Sequence, residues 1–226
     1  KLGELHHHYP DKVAKGVAIP FGVFREVVLE KQYKGGNQTV LDWMVDQYAN
    51  IHAQAEGSEK RKQTAEAFRA ELYDLILHAE LGDKFKQELK AAVTKTFGTT
   101  DLGVFVRSDT NVEDLAGFTG AGLNLTLPNV TGFDGVVSAI NKVWASPFTA
   151  RAFAWRLSHK EQPQHVYPAI LLLRSVPKDK SVVMVTQDID TGDMQTISVA
   201  VNEGVGGYVD GQSAESLRID TRDGSV

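Results

Sequence analysis

The run RSDTNVEDLAGFTGAGL, residues 107–123, decides how this chain is read. It begins where a short β-branched and aromatic segment, Gly103-Val104-Phe105-Val106, ends at an arginine. Polar residues follow, then a loop carrying Gly117, Gly120 and Gly122. A fixed cation at a strand end, followed by a loop with little side-chain bulk, suits a polyphosphate, which needs close backbone approach and neutralised charge. Arginine stays charged and binds phosphate through two parallel N–H groups. The same residues also read as a surface arginine beside a flexible turn. The segment is not a P-loop: the chain holds no GxxxxGK[ST], and no GxGxxG opens a helix after a strand.

Working outward, 226 residues allow one large domain or two small ones, with 42% hydrophobic and 23% charged residues, as a globular chain requires. No apolar run approaches the roughly 18 residues that span a bilayer, and the opening KLGELHHHYPDK has no apolar signal-peptide core. The absence of cysteine excludes disulfides, thiol catalysis and thiolate metal sites, and fits a cytoplasmic location. Residues 1–100 are charge-neutral, so the net −5 lies wholly in residues 101–226. An acidic half around the glycine loop is a poor footprint for nucleic acid. It suits either acidic groups that hold Mg²⁺ beside a nucleotide or a plain solvated surface.

Three stretches organise the chain. Residues 1–38 are mixed, with Pro20 forcing an extended or turn conformation and Lys34-Gly35-Gly36-Asn37 reading as a loop. Residues 39–98 read as a helical insert. Phe68, Leu72, Leu75, Ile76 and Ala79 share one face, Gly82 stops that helix, Asp83 can cap the next, and Phe85, Leu89 and Val93 recur every four until Gly98. From residue 99 to 226 strands and glycine loops take over. Asp134 can cap a helix bearing Val136, Val137, Ile140, Val143 and Trp144, and Ser146-Pro147 restarts a second through Trp155. Strands are expected at Ala169–Leu173, Ser181–Thr186 and Gln195–Val201, the last two joined by the turn Asp190-Thr191-Gly192-Asp193.

The order of four blocks, VRSDTNVEDLAGFTGAGL, VWASPFTARAFAWR, AILLLRSVPKDKSVVMVT and DTGDMQTISVAVNEGVGGYVDGQ, resembles the ATP-binding domain of the phosphoenolpyruvate synthase and pyruvate phosphate dikinase family. KLGEL and VAIPFGVF match that family's opening segments, so the resemblance covers nearly the whole chain. It implies an α+β, ATP-grasp-like fold with a mixed or antiparallel sheet, in which ATP lies between two subdomains. It implies a kinase-type transferase as the parent protein, with ATP and Mg²⁺ as cofactors. There ATP phosphorylates a histidine on a separate domain, and the phosphoryl group passes to pyruvate. The partners implied are the phosphohistidine and pyruvate-binding domains.

By this match Arg107 and Arg151 contact the ATP phosphates as the catalytic cations. Gly117, Gly120 and Gly122 form the covering loop, and Asp193 lies beside the nucleotide or its metal. The departures are Leu173 in place of the adenine-strand glutamine, and Glu203-Gly204-Val205-Gly206 in place of GLGE. The phosphate-binding lysine falls upstream of Lys1, and the Q-x-RP strand falls beyond Val226. The expectation is therefore a fragment that does not complete the cycle alone. The alternatives are a non-catalytic nucleotide- or partner-binding module of the same descent, or the ATP domain of a dikinase with a glucan or antibiotic acceptor.

Other features carry structural readings. His6-His7-His8 point in different directions on a helix or strand and read as a tag remnant or a solvated polar cluster rather than a metal site. His159 and His165 read as surface residues, and Trp144 and Trp155 as core. Asn111 and Asp114 read as side chains that hold their loop by local hydrogen bonds.

Overall fold

Residues 104–110 alternate between covered and open positions, the period of a strand with one buried face, and that strand organises the first of two units. The structure, a computed structural model, describes residues 2–111, 114–115, 118–119, 124–159, 163–176, 179–204 and 215–226. At residues 2, 114, 115, 118 and 119 it describes the backbone alone. The compact units are Lys1–Ser175 and Val176–Val226, each taken by itself below.

The first unit opens with helix α1 (Leu2–His8), strand β1 (Gly16–Ile19) and helix α2 (Phe21–Phe24), which runs into a π-turn ending at Leu29. Helices α3 (Val40–His52), α4 (Glu59–Leu77) and α5 (Asp83–Phe97) follow. Next come β2 (Val104–Thr110), the short pair β3 (Asp114–Leu115) and β4 (Phe118–Thr119), and β5 (Thr126–Val130). Helix α6 (Phe133–Ala145) leads through a 3-10 turn at Ser146–Phe148 into α7 (Ala150–His159), and β6 (Pro168–Arg174) ends the unit. Four strands form one antiparallel sheet in the order β1-β6-β2-β5. Helices with antiparallel sheets make this an α+β arrangement.

Local chemistry explains the helix ends. Thr39 and Asp42 form a reciprocal capping box at the start of α3, and Ser58 caps α4 through the Arg61 N–H. The expected acidic caps are displaced by one or two residues. Gly82 and Gly132, both at positive φ, occupy the N-cap positions of α5 and α6, leaving Asp83 and Asp134 inside the first turns. An acid there still complements the positive helix end. Gly98 closes α5 in the left-handed region, where a side chain would be strained.

The core lies between the helices and one face of the sheet. Val136, Ile140, Val143 and Trp144 on α6 pack toward β2, β5 and β6, while α4 buries Ala65, Phe68, Leu72 and Ile76 at the spacing of its sequence pattern. Trp144 is fully buried, with its ring 5.4 Å from that of Phe24 and 5.9 Å from that of Phe85. Trp155 differs from expectation: it is half-buried and stacks on the exposed His159 ring at 4.6 Å. The buried Asn141 donates from Nδ2 to the carbonyls of Leu77 (3.2 Å) and Ala79 (2.9 Å), satisfying backbone that α4 leaves open at its end. No helix among the described residues is long and apolar enough to cross a membrane.

The second unit is an antiparallel sheet of β7 (Lys180–Val185), β8 (Thr196–Glu203) and β9 (Glu215–Asp220). Its β7–β8 turn is built on Asp188, which is buried. Oδ1 accepts from the N–H groups of Asp190 (2.9 Å) and Thr191 (2.8 Å), and Oδ2 accepts from Arg218 Nε (2.7 Å). The Thr191 backbone donor, then that of Asp190, and Arg218 hold the Asp188 carboxyl down to about 2. In the unfolded chain the group titrates near 3.9. Its folded value is the lower one, so its stabilisation is present above about pH 4 and is lost as pH falls through about 2. A carboxyl titration followed by NMR should place the Asp188 midpoint near 2; a midpoint near 4 would remove this anchor from the turn.

Candidate functional site

Cross-strand partners in a sheet share a face, so the register maps the surface opposite the helices. One row runs through all four strands: Ala18 on β1, Leu171 on β6, Arg107 on β2 and Thr126 on β5. Beside it lie Gly16, Leu173 and Phe105 on one side and Ala169 with Asp109 on the other. Val104, Val106, Thr110, Ile170 and Leu172 point the other way and are buried. The open face therefore has a half-buried apolar floor at Leu171 and Leu173, small residues at Gly16 and Ala18, and the exposed Arg107 at its middle. A side chain on Gly16 would meet the Leu172 carbonyl at 2.9 Å, so the strands are close together at this edge of the floor.

This placement corrects one reading of Arg107. It sits in mid-strand, not at a strand end, because β6 pairs with β2 over all seven residues to Thr110. The ladder carries Ser108, Asp109 and Thr110 into the strand despite their polarity. A central strand on a packed core fixes the Arg107 backbone more firmly than a loop would. Among the described residues its guanidinium makes no hydrogen bond or ion pair. It is thus, among the described residues, a cation without a counter-charge, on an open, partly apolar surface, which suits a phosphate-bearing ligand.

The other expected site residues lie elsewhere. Arg151 is exposed in the first turn of α7, and among the described residues it too makes no ion pair. Gly117, Gly120 and Gly122 lie outside the described residues. Asp193 belongs to the second unit, where its oxygens accept from Gln195 N–H (3.0 Å) and Thr196 Oγ1 (2.9 Å). Its carboxylate is used by its own turn. Among the described residues no three His, Cys, Asp or Glu side chains converge as a metal site, so these residues do not by themselves make a cage for Mg²⁺.

Asn111 holds structure, but not locally. Its Nδ2 donates to the His165 carbonyl (2.8 Å) and its Oδ1 accepts from Tyr167 N–H (2.9 Å), pinning the end of β2 to the segment that enters β6. The second unit also has a groove of about 390 Å³ lined by Val183, Val185, Ile189 and the Arg218–Asp190 pair. Arg218 there is paired with both Asp190 and Asp188, so among the described residues the groove offers no free cation. Sequence reading missed the apolar floor and the Ala18–Leu171–Arg107–Thr126 row, because partners so far apart along the chain meet only through register.

Comparison with known proteins gives the family. The chain belongs to the pyruvate phosphate dikinase AMP/ATP-binding domain family, whose model matches residues 1–220. It is 29% identical over 165 residues to the phosphoenolpyruvate synthase of Pyrococcus furiosus, covering 73% of this chain and 20% of that protein. It is 26% identical over 207 residues to a Streptomyces rifampicin phosphotransferase, covering 91% and 22%, and 34% identical over 101 residues to the one from Bacillus subtilis, covering 45% and 12%. The chain thus spans about a fifth of the length of the curated relatives it matches over most of its own length.

Proposed function

We propose that this chain is the ATP-binding part of a dikinase-type phosphotransferase with an ATP-grasp-like site, and that ATP lies against the open face of the first sheet. The observation that carries the reading is the uncompensated Arg107 in the centre of a face floored by Leu171 and Leu173. The guanidinium neutralises the phosphates, and the apolar floor gives a flat base or ribose a surface from which water is excluded. Leu173 offers contact area but no side-chain hydrogen bond, so recognition of the base edge falls to backbone groups. Arg151 is proposed as a second phosphate cation, and Gly117, Gly120 and Gly122 as the covering loop. The resemblance puts Mg²⁺ with the nucleotide. The hydrogen bonds of Asp193 support a turn-holding role.

In the parent protein the phosphoryl group would pass from ATP to a histidine of another domain and then to pyruvate, in the cytoplasm. The rifampicin phosphotransferase relatives support a second reading in which an antibiotic is the acceptor. The ATP half of the chemistry is common to both. Ala18 offers a direct test, since it is exposed on β1 and in register with Leu171. Ala18→Trp lays an indole over the floor and is expected to weaken Mg-ATP binding at least tenfold in a calorimetric titration while leaving the thermal midpoint nearly unchanged. Unaltered ATP affinity would move the nucleotide off this face.

A further inference from the structure

Arg156 is an anomaly on the covered side of the sheet. It is 4% exposed, and among the described residues it has no ion pair. Its Nη2 donates to the Pro147 carbonyl and its guanidinium lies 4.7 Å from the Phe148 ring, but among the described residues Nε and Nη1 have no hydrogen-bond partner. A buried cation is strongly unfavourable unless something pairs with it. Tyr48 does not supply the charge, since burial pushes its hydroxyl up to about 12 and keeps it neutral.

Beside Arg156 is a cavity of about 20 Å³, lined also by Thr110, Asn124, Pro147, Ala152 and Val166. One water needs about 10–15 Å³, so the space takes a single occupant of about that size. Water and a monatomic anion both accept from Nε and Nη1, but only the anion cancels the buried charge. We infer that Arg156, Thr110 and Asn124 form a site for a monatomic anion of chloride size. The site is distinct from the Arg107 face, because Thr110 points to the buried side of β2 and Arg107 to the open one. Thr110 ends β2 and Asn124 precedes β5, so the occupant ties together the two ends of the segment that carries Gly117, Gly120 and Gly122.

The test compares thermal and denaturant unfolding of the chain in sodium chloride or bromide with sodium gluconate at equal ionic strength. Chloride and bromide should stabilise saturably, lowering the unfolding equilibrium constant about tenfold at ten times the dissociation constant, while gluconate should not. Arg156→Gln should abolish the difference. Should that variant fail to fold, crystals of the unaltered chain in bromide decide the matter, with an anomalous peak expected within hydrogen-bond distance of Nε or Nη1. Equal stability in gluconate and chloride, or a cavity holding water with no bromide signal, would overturn the site.

Discussion

Replacing Trp144 by alanine is expected to destabilise the first unit by about 3–5 kcal/mol, the usual cost of removing a large buried aromatic side chain. Trp144 has no exposed surface and packs edge-on against Phe24 and tilted against Phe85, so it joins α6 to α2 and α5. The void it leaves is bordered by Phe24, itself fully buried, which has little freedom to collapse inward. Trp155→Ala is the internal comparison, because Trp155 is half-buried and rests on the exposed His159. Its loss should cost well under half as much. Denaturant unfolding of the two variants checks the pair, and similar losses would show that burial at Trp144 is not what holds α6 in place.

The second large effect is functional. Arg107→Ala should weaken Mg-ATP binding by roughly 10- to 150-fold, since hydrogen bonds to charged groups contribute about 1.5–3 kcal/mol and 1.4 kcal/mol is a factor of ten. The fold should hardly notice. Arg107 is exposed, forms no ion pair among the described residues, and its backbone ladder to Leu171 and Thr126 does not depend on its side chain. Arg107→Lys keeps the charge but loses the two-pronged geometry, so an intermediate loss is expected.

Much of the helical fold was legible because its signals are local. Phe68, Leu72 and Ile76 recur at helical spacing and are all buried, and the Asp190–Asp193 turn joins two strands as its composition requires. Two edge strands, β5 and β9, were not legible, whereas the edge strand β7 was. Strand β5 contains Pro128, which only an edge position tolerates, and β9 reads Glu-Ser-Leu-Arg-Ile-Asp, with charges that suit an exposed sheet margin. Arg107 was found as a residue, but its position was misjudged. The pairing that carries β2 to Thr110 comes from β6, about sixty residues later in the chain.

The site was legible in the same uneven way. The cation came from the sequence, whereas its apolar floor came from register. Arg156 sits three and four residues from Phe153 and Ala152 on the buried face of α7, a spacing that foretells burial. The residue type argues the opposite, because arginine is seldom fully buried. Asn111 was correctly read as a holding residue, but its partners at His165 and Tyr167 are more than fifty residues away.

The central claim is that the open face around Arg107 binds the phosphates of ATP. Calorimetric titration of Mg-ATP into the unaltered chain, Arg107→Lys and Arg107→Ala, with thermal midpoints recorded alongside, tests it most directly. The account predicts a graded loss of affinity in that order, at least tenfold for alanine, with midpoints nearly unchanged. Equal affinity for all three proteins would contradict it.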